Sequence, residues 1–387
     1  MKLLVINTVG VEKDGITSWI IQMFNTMDKS SIDVIDTIAF EGADQAIVHK
    51  LEAAGVRTHT LPSRKKRPLA YARALRNLVK ENAYDLVHVN GSSGTTAIEL
   101  ICCVASGVKG RIVHSHNTSS MFTTYDKLLR PAMSAICTDR FACGEAAGKW
   151  LFGNKQFTII PNGRDFAEYS FDPDTRIQVR HRLGLSSRHI AIGHVGYFNE
   201  QKNHRFLIDA FAMALEQNQN LRLFLLGDGT LRRDIEAQVN SLGLAQSVLF
   251  LGHTPRVSDY LSALDLAVLP SLYEGFPNVA IEWQISGLPS LISDSVSDEC
   301  AVTDLIRFIP AANTTAWAHE IASTVPVDRM STSSAARRLL REAGYEIAVG
   351  AAKLQASYTE IARREGISLE SILQGRELND EVTKDLH

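Results

Sequence analysis

Two carboxylates eight positions apart flank a turn-forming stretch in the second half of the chain. Glu274 follows the apolar run at residues 266–269, and Glu282 lies beyond Pro277. Proline suits the first turn of a helix, so we expect a helix to begin near Pro277. A carboxylate in the preceding loop can accept hydrogen bonds from sugar hydroxyls, and one placed one to two turns into the helix can accept them from a ribose diol. Both positions are therefore compatible with a polyhydroxylated ligand, an interpretation that the stretch as a whole favours and that two carboxylates alone do not.

The start of this predicted helix also favours a diphosphate. Backbone N–H groups near a helix N-terminus lack carbonyl partners, and the helix dipole is positive there. The residues that we predict to contact substrate in this stretch are Gly275, Phe276, Pro277, Asn278, Val279 and Glu282. The alternative is that Glu274 is a solvated loop acid and Glu282 an exposed helix residue.

Short β-branched runs alternate with amphipathic stretches along the whole chain, which predicts parallel sheets covered by helices. A first series of predicted strands lies at residues 3–7, 31–39, 58–61, 86–89, 111–115, 140–143 and 158–160. A second series lies at residues 189–196, 222–226, 248–250, 266–269 and 290–293. Residues 161–187 contain Pro, Gly, Asn and Asp without a long apolar run, so we expect the linker there.

The two series predict an α/β protein with two Rossmann-like domains facing across a cleft. Ligands of such sheets bind at the carboxyl ends of the strands, where this sequence is rich in glycine and polar residues. Neither a P-loop nor the full G-x-G-x-x-G fingerprint is present, so ATP hydrolysis and nicotinamide chemistry are not indicated.

Composition narrows the class of protein further. The 387 residues are 45% hydrophobic and 21% charged, enough for two domain cores. A net charge of −3 argues against a dedicated nucleic-acid binder. The apolar run at residues 3–6 is too short for a signal peptide and predicts a buried first strand. Free thiols in a reducing cytoplasm are expected, because the five cysteines have no metal-ligand spacing.

Several stretches together resemble the retaining glycosyltransferase family 4, which has the GT-B fold. Glu274 and Glu282 are similar to its E-x7-E motif, and Lys202-Asn203 to its phosphate-binding loop. Residues 160–163 resemble the interdomain signature, and residues 226–229 a mid-domain strand and turn. The resemblance covers most of the chain. Two further stretches, residues 113–117 and 292–294, are similar to bacterial exopolysaccharide and capsule glycosyltransferases.

The resemblance implies an enzyme that moves a sugar from a nucleotide diphosphate sugar, with UDP the commonest choice, and retains the anomeric configuration. The acceptor would be a glycan or a polyprenyl-linked sugar in cell-surface polysaccharide synthesis, and the family needs neither metal nor cofactor. Residues 1–165 would form an acceptor-side domain and residues 166–345 a nucleotide-sugar domain. Residues 346–387 would form a helix crossing back to the first domain, followed by a tail.

Individual roles follow from the same resemblance. Lys202 would neutralise the diphosphate, Glu274 would bind the donor sugar and Glu282 the ribose. His116 matches a family histidine near the reacting sugar, so the predicted catalytic residues are His116, Lys202 and Glu274. Gly15 resembles the glycine turn near the phosphates.

Two positions depart from the family pattern. Tyr197 follows Gly196 where many members have an arginine, and a phenol does not replace a fixed positive charge. Asp14 stands where a second glycine is usual. The rival hypotheses are a GT-B epimerase and a catalytically impaired nucleotide-sugar binding protein.

One dense basic cluster, Arg64-Lys65-Lys66-Arg67, permits two interpretations. It is either a solvated loop or a contact with anionic headgroups at the inner face of the membrane. Asp172-Pro173-Asp174 has the form of a metal-binding D-x-D motif but lies in the predicted linker, so we favour the hypothesis without metal.

Overall fold

The computed structural model describes residues 1–12, 14–118, 123–254 and 256–369. The chain forms two compact units. The first unit contains Met1–Gly163 and the chain from Ile347 onward, and the second contains Arg164–Glu346. Each unit is a parallel sheet covered by helices, which confirms the predicted α/β class with two Rossmann-like domains.

The sheet of the first unit has seven parallel strands. They are β1 (Lys2–Asn7), β2 (Val34–Phe40), β3 (Arg57–Leu61), β4 (Leu86–Asn90), β5 (Gly110–Ser115), β6 (Asp139–Ala142) and β7 (Thr158–Ile159). Their order across the sheet is β3-β2-β1-β4-β5-β6-β7. The central strands are buried, as in any parallel sheet covered on both faces, and therefore appear in the sequence as continuous apolar runs.

Helices pack on both faces of this sheet. They are α1 (Gly15–Thr26), α2 (Gln45–Ala53), α3 (Pro68–Asn82), α4 (Ala97–Val104), α5 (Thr123–Ile136) and α6 (Glu145–Phe152). The start of α1 is fixed by Asp14, whose Oδ1 accepts a hydrogen bond of 2.7 Å from the backbone N–H of Thr17.

The second unit has a six-stranded parallel sheet. Its strands are β8 (Ile190–Val195), β9 (Leu221–Leu226), β10 (Val248–Gly252), β11 (Leu266–Leu269), β12 (Ser290–Ser293) and β13 (Ile306–Ile309). They are ordered β10-β9-β8-β11-β12-β13. The sequence does not predict β13, an edge strand that is only partly buried.

Eight helices of the described residues cover this second sheet. They are α7 (Phe166–Tyr169), α8 (Pro173–Arg182), α9 (His204–Gln217), α10 (Arg232–Ser241), α11 (Val257–Ala263), α12 (Asn278–Ile285), α13 (Thr314–Ala322) and α14 (Arg329–Glu342). Two of them, α7 and α8, lie within residues 161–187, where the sequence predicts an irregular linker. Ion pairs rather than an apolar face anchor α8, because Arg176 and Arg180 contact Asp265 at 2.6 and 2.9 Å.

After the second unit the chain returns to the first as α15 (Ile347–Arg364), which packs against α1. Its buried residues include Leu354 and Tyr358, and Gly350 lies on Met23 of α1. The predicted tail beyond residue 369 lies outside the described residues. Among the residues that are described, no helix combines the length and apolar character that crossing a bilayer requires.

Candidate active site

The loop after β8 places Lys202 at the carboxyl end of the second sheet. Residues Glu200–Lys202 form one 3-10 turn, which Asn199 caps by accepting a hydrogen bond of 3.1 Å from the N–H of Lys202. Asn203 follows in the left-handed conformation, with φ of +56°. Asparagine tolerates this conformation better than most residues, so the local sequence allows α9 to begin immediately afterwards.

The loops after β8 and β9 touch through two glycines. A Cβ atom on Gly227, whose φ is +131°, would lie 2.0 Å from the carbonyl oxygen of Gly196. A Cβ atom on Gly229 would lie 2.5 Å from the backbone of Phe198. Only glycine fits these positions, and the close approach holds the phosphate-loop candidate, residues 196–203, against the turn after β9.

Glu274 is held by three side chains. Its Oε1 lies 2.6 Å from Lys202 Nζ and accepts a hydrogen bond of 2.6 Å from Ser271 Oγ, and its Oε2 accepts one of 3.2 Å from Gln201 Nε2. The Lys202 and Glu274 side chains are 16% and 9% exposed. The alternative of a solvated loop acid is therefore wrong. Instead, the residues predicted to bind phosphate and sugar form an ion pair.

Three hydrogen bonds to backbone carbonyls join the loop that carries Glu274 to the loop that carries Lys202. The N–H of Leu272 donates to the carbonyl of Gln201 at 2.9 Å, and Gln201 Nε2 donates to the carbonyl of Tyr273 at 3.0 Å. Asn203 Nδ2 donates to the carbonyl of Pro270 at 3.3 Å. Gln201 and Ser271 are site residues that the sequence reasoning missed, although both directly neighbour predicted site elements.

The helix α12 begins where the sequence predicts a helix start, with one small correction. Pro277 is the N-cap, and Asn278 is the first helical residue. The first turn thus places the backbone of Asn278 and Val279 at the positive end of the helix dipole. Phe276 stacks on Tyr345 with ring centroids 5.7 Å apart, which fixes the segment between Gly275 and the helix.

Glu282 lies on the buried side of α12 and not on an exposed face, so the second alternative is also wrong. Its Oε1 accepts a hydrogen bond of 2.8 Å from Arg164 Nε, and the two side chains are 11% and 5% exposed. Burial raises the pKa of Glu282, and the Arg164 guanidinium partly opposes that rise. Arg164 is another residue that the sequence reasoning missed, because no sequence pattern connects it with a residue on α12.

His116 lies in a buried cluster of the first unit. Its Nε2 is 2.8 Å from Asn90 Oδ1, and its backbone N–H donates to Ser92 Oγ at 2.9 Å. The ring is 8% exposed and lies 4.0 Å from the ring of His114. Burial lowers the pKa of His116 to about 3, so the imidazole is neutral at physiological pH.

Gly15 is the first residue of α1, so the predicted glycine turn lies at a helix start. Asp14, which stands where the family pattern usually has glycine, is the N-cap of α1, and burial raises the pKa of its carboxyl group. Its Oδ2 also accepts a hydrogen bond of 3.3 Å from Asn7 Nδ2. The structure therefore gives Asp14 a local role that a glycine does not supply.

Comparison with known proteins identifies the family. Residues 189–325 match the family described as "Glycosyl transferases group 1". The "Putative glycosyltransferase EpsF" of Bacillus subtilis (strain 168) is 32% identical over 335 residues, which cover 83% of this chain and 87% of that protein. The chain belongs to the glycosyl transferases group 1 family. It is a glycosyltransferase.

A more distant relative and a solved structure extend this similarity. An Escherichia coli "UDP-Gal:alpha-D-GlcNAc-diphosphoundecaprenol alpha-1,3-galactosyltransferase" is 29% identical over 244 residues, covering 59% of this chain and 62% of that protein. The crystal structure of Anabaena HepE in complex with UDP aligns with a TM-score of 0.77 at 18% identity, over 93% of this chain and all of that one. At that identity the likeness shows the fold, which is GT-B.

In this glycosyltransferase, Tyr197 borders a cavity of about 260 Å³ at the carboxyl ends of β8, β9 and β10. The side chain is 56% exposed, and the cavity is also lined by Asp228, His253 and Thr254. Arg205, the first arginine after Tyr197 in the sequence, contacts Asp234 at 2.9 Å, and both side chains are half-exposed.

The basic cluster of the glycosyltransferase is not a uniform solvated loop. Arg64 forms an ion pair of 2.6 Å with Glu99, and the two side chains are 15% and 0% exposed. Arg64 therefore belongs to the interior, because its charge neutralises a buried carboxylate. Lys65, Lys66 and Arg67 are exposed, and Arg67 also contacts Glu41.

The stretch Asp172-Pro173-Asp174, which has the form of a D-x-D motif, lies at the start of α8. Across residues 1–12, 14–118, 123–254 and 256–369, no three His, Cys, Asp or Glu side chains are grouped as ligands of a metal ion. Asp172 instead caps α8, accepting a hydrogen bond of 2.9 Å from the N–H of Thr175.

Proposed function

We propose that this glycosyltransferase transfers a sugar from a UDP-sugar to a lipid-linked or glycan acceptor in cell-surface polysaccharide synthesis, with retention of configuration and without a metal. The observation that carries the proposal is the contact of 2.6 Å between Lys202 Nζ and Glu274 Oε1. It lies in the loops after β8 and β11, where ligands of such sheets bind. The names of the Escherichia coli relative and of the HepE complex, which mention UDP-Gal and UDP, support the donor class.

The proposed chemistry is mainly electrostatic. The bond between the anomeric carbon and the diphosphate oxygen breaks, and a bond from that carbon to the acceptor oxygen forms on the same face. The acceptor proton passes to the leaving phosphate oxygen. Lys202 and the start of α12 stabilise the charge that develops on the diphosphate, while Glu274 accepts hydrogen bonds from sugar hydroxyls and Glu282 from the ribose.

The ion pair implies an exchange of partners when the donor binds. Lys202 is neutralised by Glu274 in the structure, so a diphosphate that approaches Lys202 competes with this carboxylate. Ser271 and Gln201 keep Glu274 in place when Lys202 turns to the phosphate. We also propose that His116 of the first unit acts in the transfer as a neutral imidazole, since its pKa is about 3.

The direct test is Glu274→Ala in an assay of sugar transfer to a polyprenyl-diphosphate-linked sugar. We expect turnover to fall by about 100-fold, because the donor sugar loses a hydrogen-bond acceptor that positions it for reaction. Asp304→Ala, an exposed acid of the same unit, is the matched control. Near-normal turnover of the Glu274 variant would overturn the assignment.

Two measurements separate the proposal from its rivals. Calorimetric titration with UDP, GDP and ADP, with and without EDTA, should show micromolar binding of UDP that chelation leaves unchanged. The product should keep the donor's anomeric configuration by NMR. Binding abolished by EDTA, an inverted product, or epimerisation of the UDP-sugar without transfer would each contradict the proposal.

Contact with an anionic membrane is proposed through a smaller patch than the sequence indicates. Lys65, Lys66 and Arg67 are exposed, and Leu69 beside them is 87% exposed. Each cation near an anionic surface contributes about 1 kcal/mol. The exposed leucine adds apolar area that a bilayer can cover. Arg64 is excluded from the patch because of its buried ion pair.

Vesicle sedimentation tests this patch. Changing Lys65, Lys66 and Arg67 together to Gln should abolish binding to vesicles rich in phosphatidylglycerol at low salt. The control changes three exposed cations of the second unit together to Gln, namely Arg188, Arg233 and Arg338. This control should leave vesicle binding unchanged. Equal binding of both triple variants would contradict the contact.

A further inference from the structure

A column of buried rings connects the last described helix with His116 inside the first unit. We propose that Tyr358, His88 and His114 are positioning residues that fix the orientation of the His116 imidazole for sugar transfer. The inference rests on the proposed role of His116. It concerns three residues that are not among the predicted site residues and that lie on α15, β4 and β5.

The outer part of the column is a hydrogen-bonded chain. Tyr358 Oη lies 2.6 Å from His88 Nδ1, and His88 Nε2 lies 3.2 Å from His114 Nδ1. All three side chains are fully buried. Burial keeps both imidazoles neutral, since it lowers the pKa of His88 to about 3 and that of His114 well below its ordinary value.

Counting donors and acceptors gives the chain a direction. If the Tyr358 hydroxyl donates to His88 Nδ1, then His88 Nε2–H donates to His114 Nδ1, and only His114 Nε2–H has no partner among the described residues. If the two histidines donate toward Tyr358 instead, the proton of the Tyr358 hydroxyl also has no acceptor among the described residues. Buried polar groups without partners are costly, so the first direction is favoured.

Ring packing continues the chain to His116. The rings of His114 and His116 lie 4.0 Å apart at 33°, and His88 and His114 are stacked at 5.2 Å. Trp19 of α1 contacts His114 and His116 edgewise, with centroids 5.0 and 5.1 Å away. Close-packed interiors leave little free volume, so a shift of one ring moves the next.

At its inner end the column fixes which nitrogen of His116 carries the proton. Asn90 Nδ2 donates to the carbonyl of Ile6 at 3.4 Å, which turns Oδ1 of the same amide toward His116. Nε2 of His116 therefore carries the hydrogen that Asn90 Oδ1 accepts at 2.8 Å. The lone pair is left on Nδ1, so the ring is neutral rather than a cation, and the Asn162 side chain is a further hydrogen-bond partner of the ring.

The experiment is Tyr358→Phe in the full chain, which removes one hydroxyl and keeps the ring. We expect kcat for sugar transfer to fall about ten-fold, because the His116 ring loses support and can move by less than about 1 Å from its reacting position. The donor KM should change little. In ¹⁵N spectra of labelled histidines, the His116 resonances, assigned with His116→Gln, should shift. Tyr71→Phe, which removes another fully buried phenol hydroxyl of this unit, is the control and should change neither readout.

The outcomes separate this inference from the proposed function and from simple loss of stability. Kinetics are compared below the onset of unfolding, and His88→Gln serves as a second variant with the same expected direction. Unmoved His116 resonances, or unchanged kcat in both variants, would overturn the positioning role. If the wild-type chain transfers no sugar, the proposed function fails, while the spectra still test whether Tyr358 orients His116.

Discussion

At the scale of single residues, the charges of the second unit are arranged in two different ways. Lys202 and Glu274, 16% and 9% exposed, form a pair in the loops after β8 and β11, at the sheet edge where a ligand can replace one partner. Arg164 and Glu282 form a pair in the interior, where neither side chain is more than 11% exposed. The first pair suits exchange with a diphosphate, whereas the second must stay matched, because an unpaired buried charge is costly.

Ser271→Ala should weaken catalysis without unfolding the loop. Ser271 is fully buried, and its hydroxyl donates to Glu274 Oε1 at 2.6 Å. Loss of a hydrogen bond to a charged group costs about 1.5–3 kcal/mol, so kcat/KM should fall about ten-fold or more. Ser290→Ala, which removes a buried hydroxyl that donates to the backbone carbonyl of Leu288 at 2.9 Å, is the matched control in the transfer assay. Equal activity of the two variants would show that Ser271 does not hold Glu274.

Arg164→Met should destabilise the second unit by about 3–5 kcal/mol near neutral pH, because it leaves the Glu282 carboxylate buried and unpaired. Removing the cation raises the pKa of Glu282 further, since Arg164 is the group that lowers it. A raised pKa means that the folded state binds the proton more tightly. The deficit should therefore shrink as the pH falls from about 7.5 toward 5.

Thermal unfolding at several pH values checks this prediction. The melting temperature of Arg164→Met should approach that of the wild type at acidic pH, and adding Glu282→Gln should remove most of the pH dependence. Arg338→Met, which breaks an exposed pair with Glu342, is the control. A deficit that is the same at every pH would contradict the buried-charge explanation.

At the scale of elements, sequence predicts what depends on local patterns. The strands Leu266–Leu269 and Ser290–Ser293 are predicted with the observed bounds, because each is a short buried run next to turn residues. The edge strand Ile306–Ile309 is missed because Arg307 interrupts its apolar run and its burial is partial. Partners such as Arg164, 118 positions before Glu282, depend on tertiary packing that no local pattern contains.

Two glycines test how the loops after β8 and β9 position the site. Gly227→Ala should lower the free energy of unfolding by at least about 2–3 kcal/mol and abolish UDP binding. Alanine is strained at φ of +131°, and its Cβ would lie 2.0 Å from the Gly196 carbonyl. Gly243→Ala also requires a positive φ, of +70°, but has no atom within 4 Å of the added Cβ.

Calorimetric titration with UDP should therefore separate the two alanine variants. Gly243→Ala should bind UDP as the wild type does. Its free energy of unfolding should fall by only about 1 kcal/mol, from backbone strain. Gly227→Ala should show no binding even at temperatures where circular dichroism reports folded protein. Normal binding by Gly227→Ala would mean that the two loops need not touch.

At the scale of the whole molecule, each unit buries neutral histidines beside its candidate site residues. The first unit contains His88, His114 and His116, and the second contains His194 and His204. Burial, with a smaller effect of the nearby Lys202 charge, lowers the pKa of His204 to about 4. These imidazoles supply rigid polar rings without adding charge, and they make both units sensitive to acid.

We expect the stability of the chain to fall steeply between pH 6.5 and about 4.5. An unfolded histidine titrates near 6.5, whereas the folded pKa of His88 and of His116 is about 3. In that window the unfolded chain binds protons that the folded chain does not, so the free energy of unfolding falls as the pH falls. Each such histidine contributes up to about 1.4 kcal/mol per pH unit, and none contributes above pH 7.

Denaturant unfolding across this pH range measures how the free energy of unfolding depends on pH. Variants that lack one histidine show how much that histidine contributes to the slope. His204→Leu should reduce the slope by about one proton, because neither ring nitrogen of His204 has a hydrogen-bond partner among the described residues that would also be lost. His49→Gln, a change at an exposed histidine of α2, should leave the slope unaltered.

Carboxyl groups whose pKa is raised by burial, such as those of Asp14 and Glu282, oppose this fall because the folded chain takes up their protons first, so the comparison of single-histidine variants isolates the histidine contribution. A carboxyl whose pKa is held below its usual range, such as that of Asp36, titrates at lower pH. If removing a buried histidine leaves the slope unaltered, as the change at His49 should, then the buried histidines take up protons in the folded state, and the proposal that His116 acts as a neutral imidazole would be contradicted.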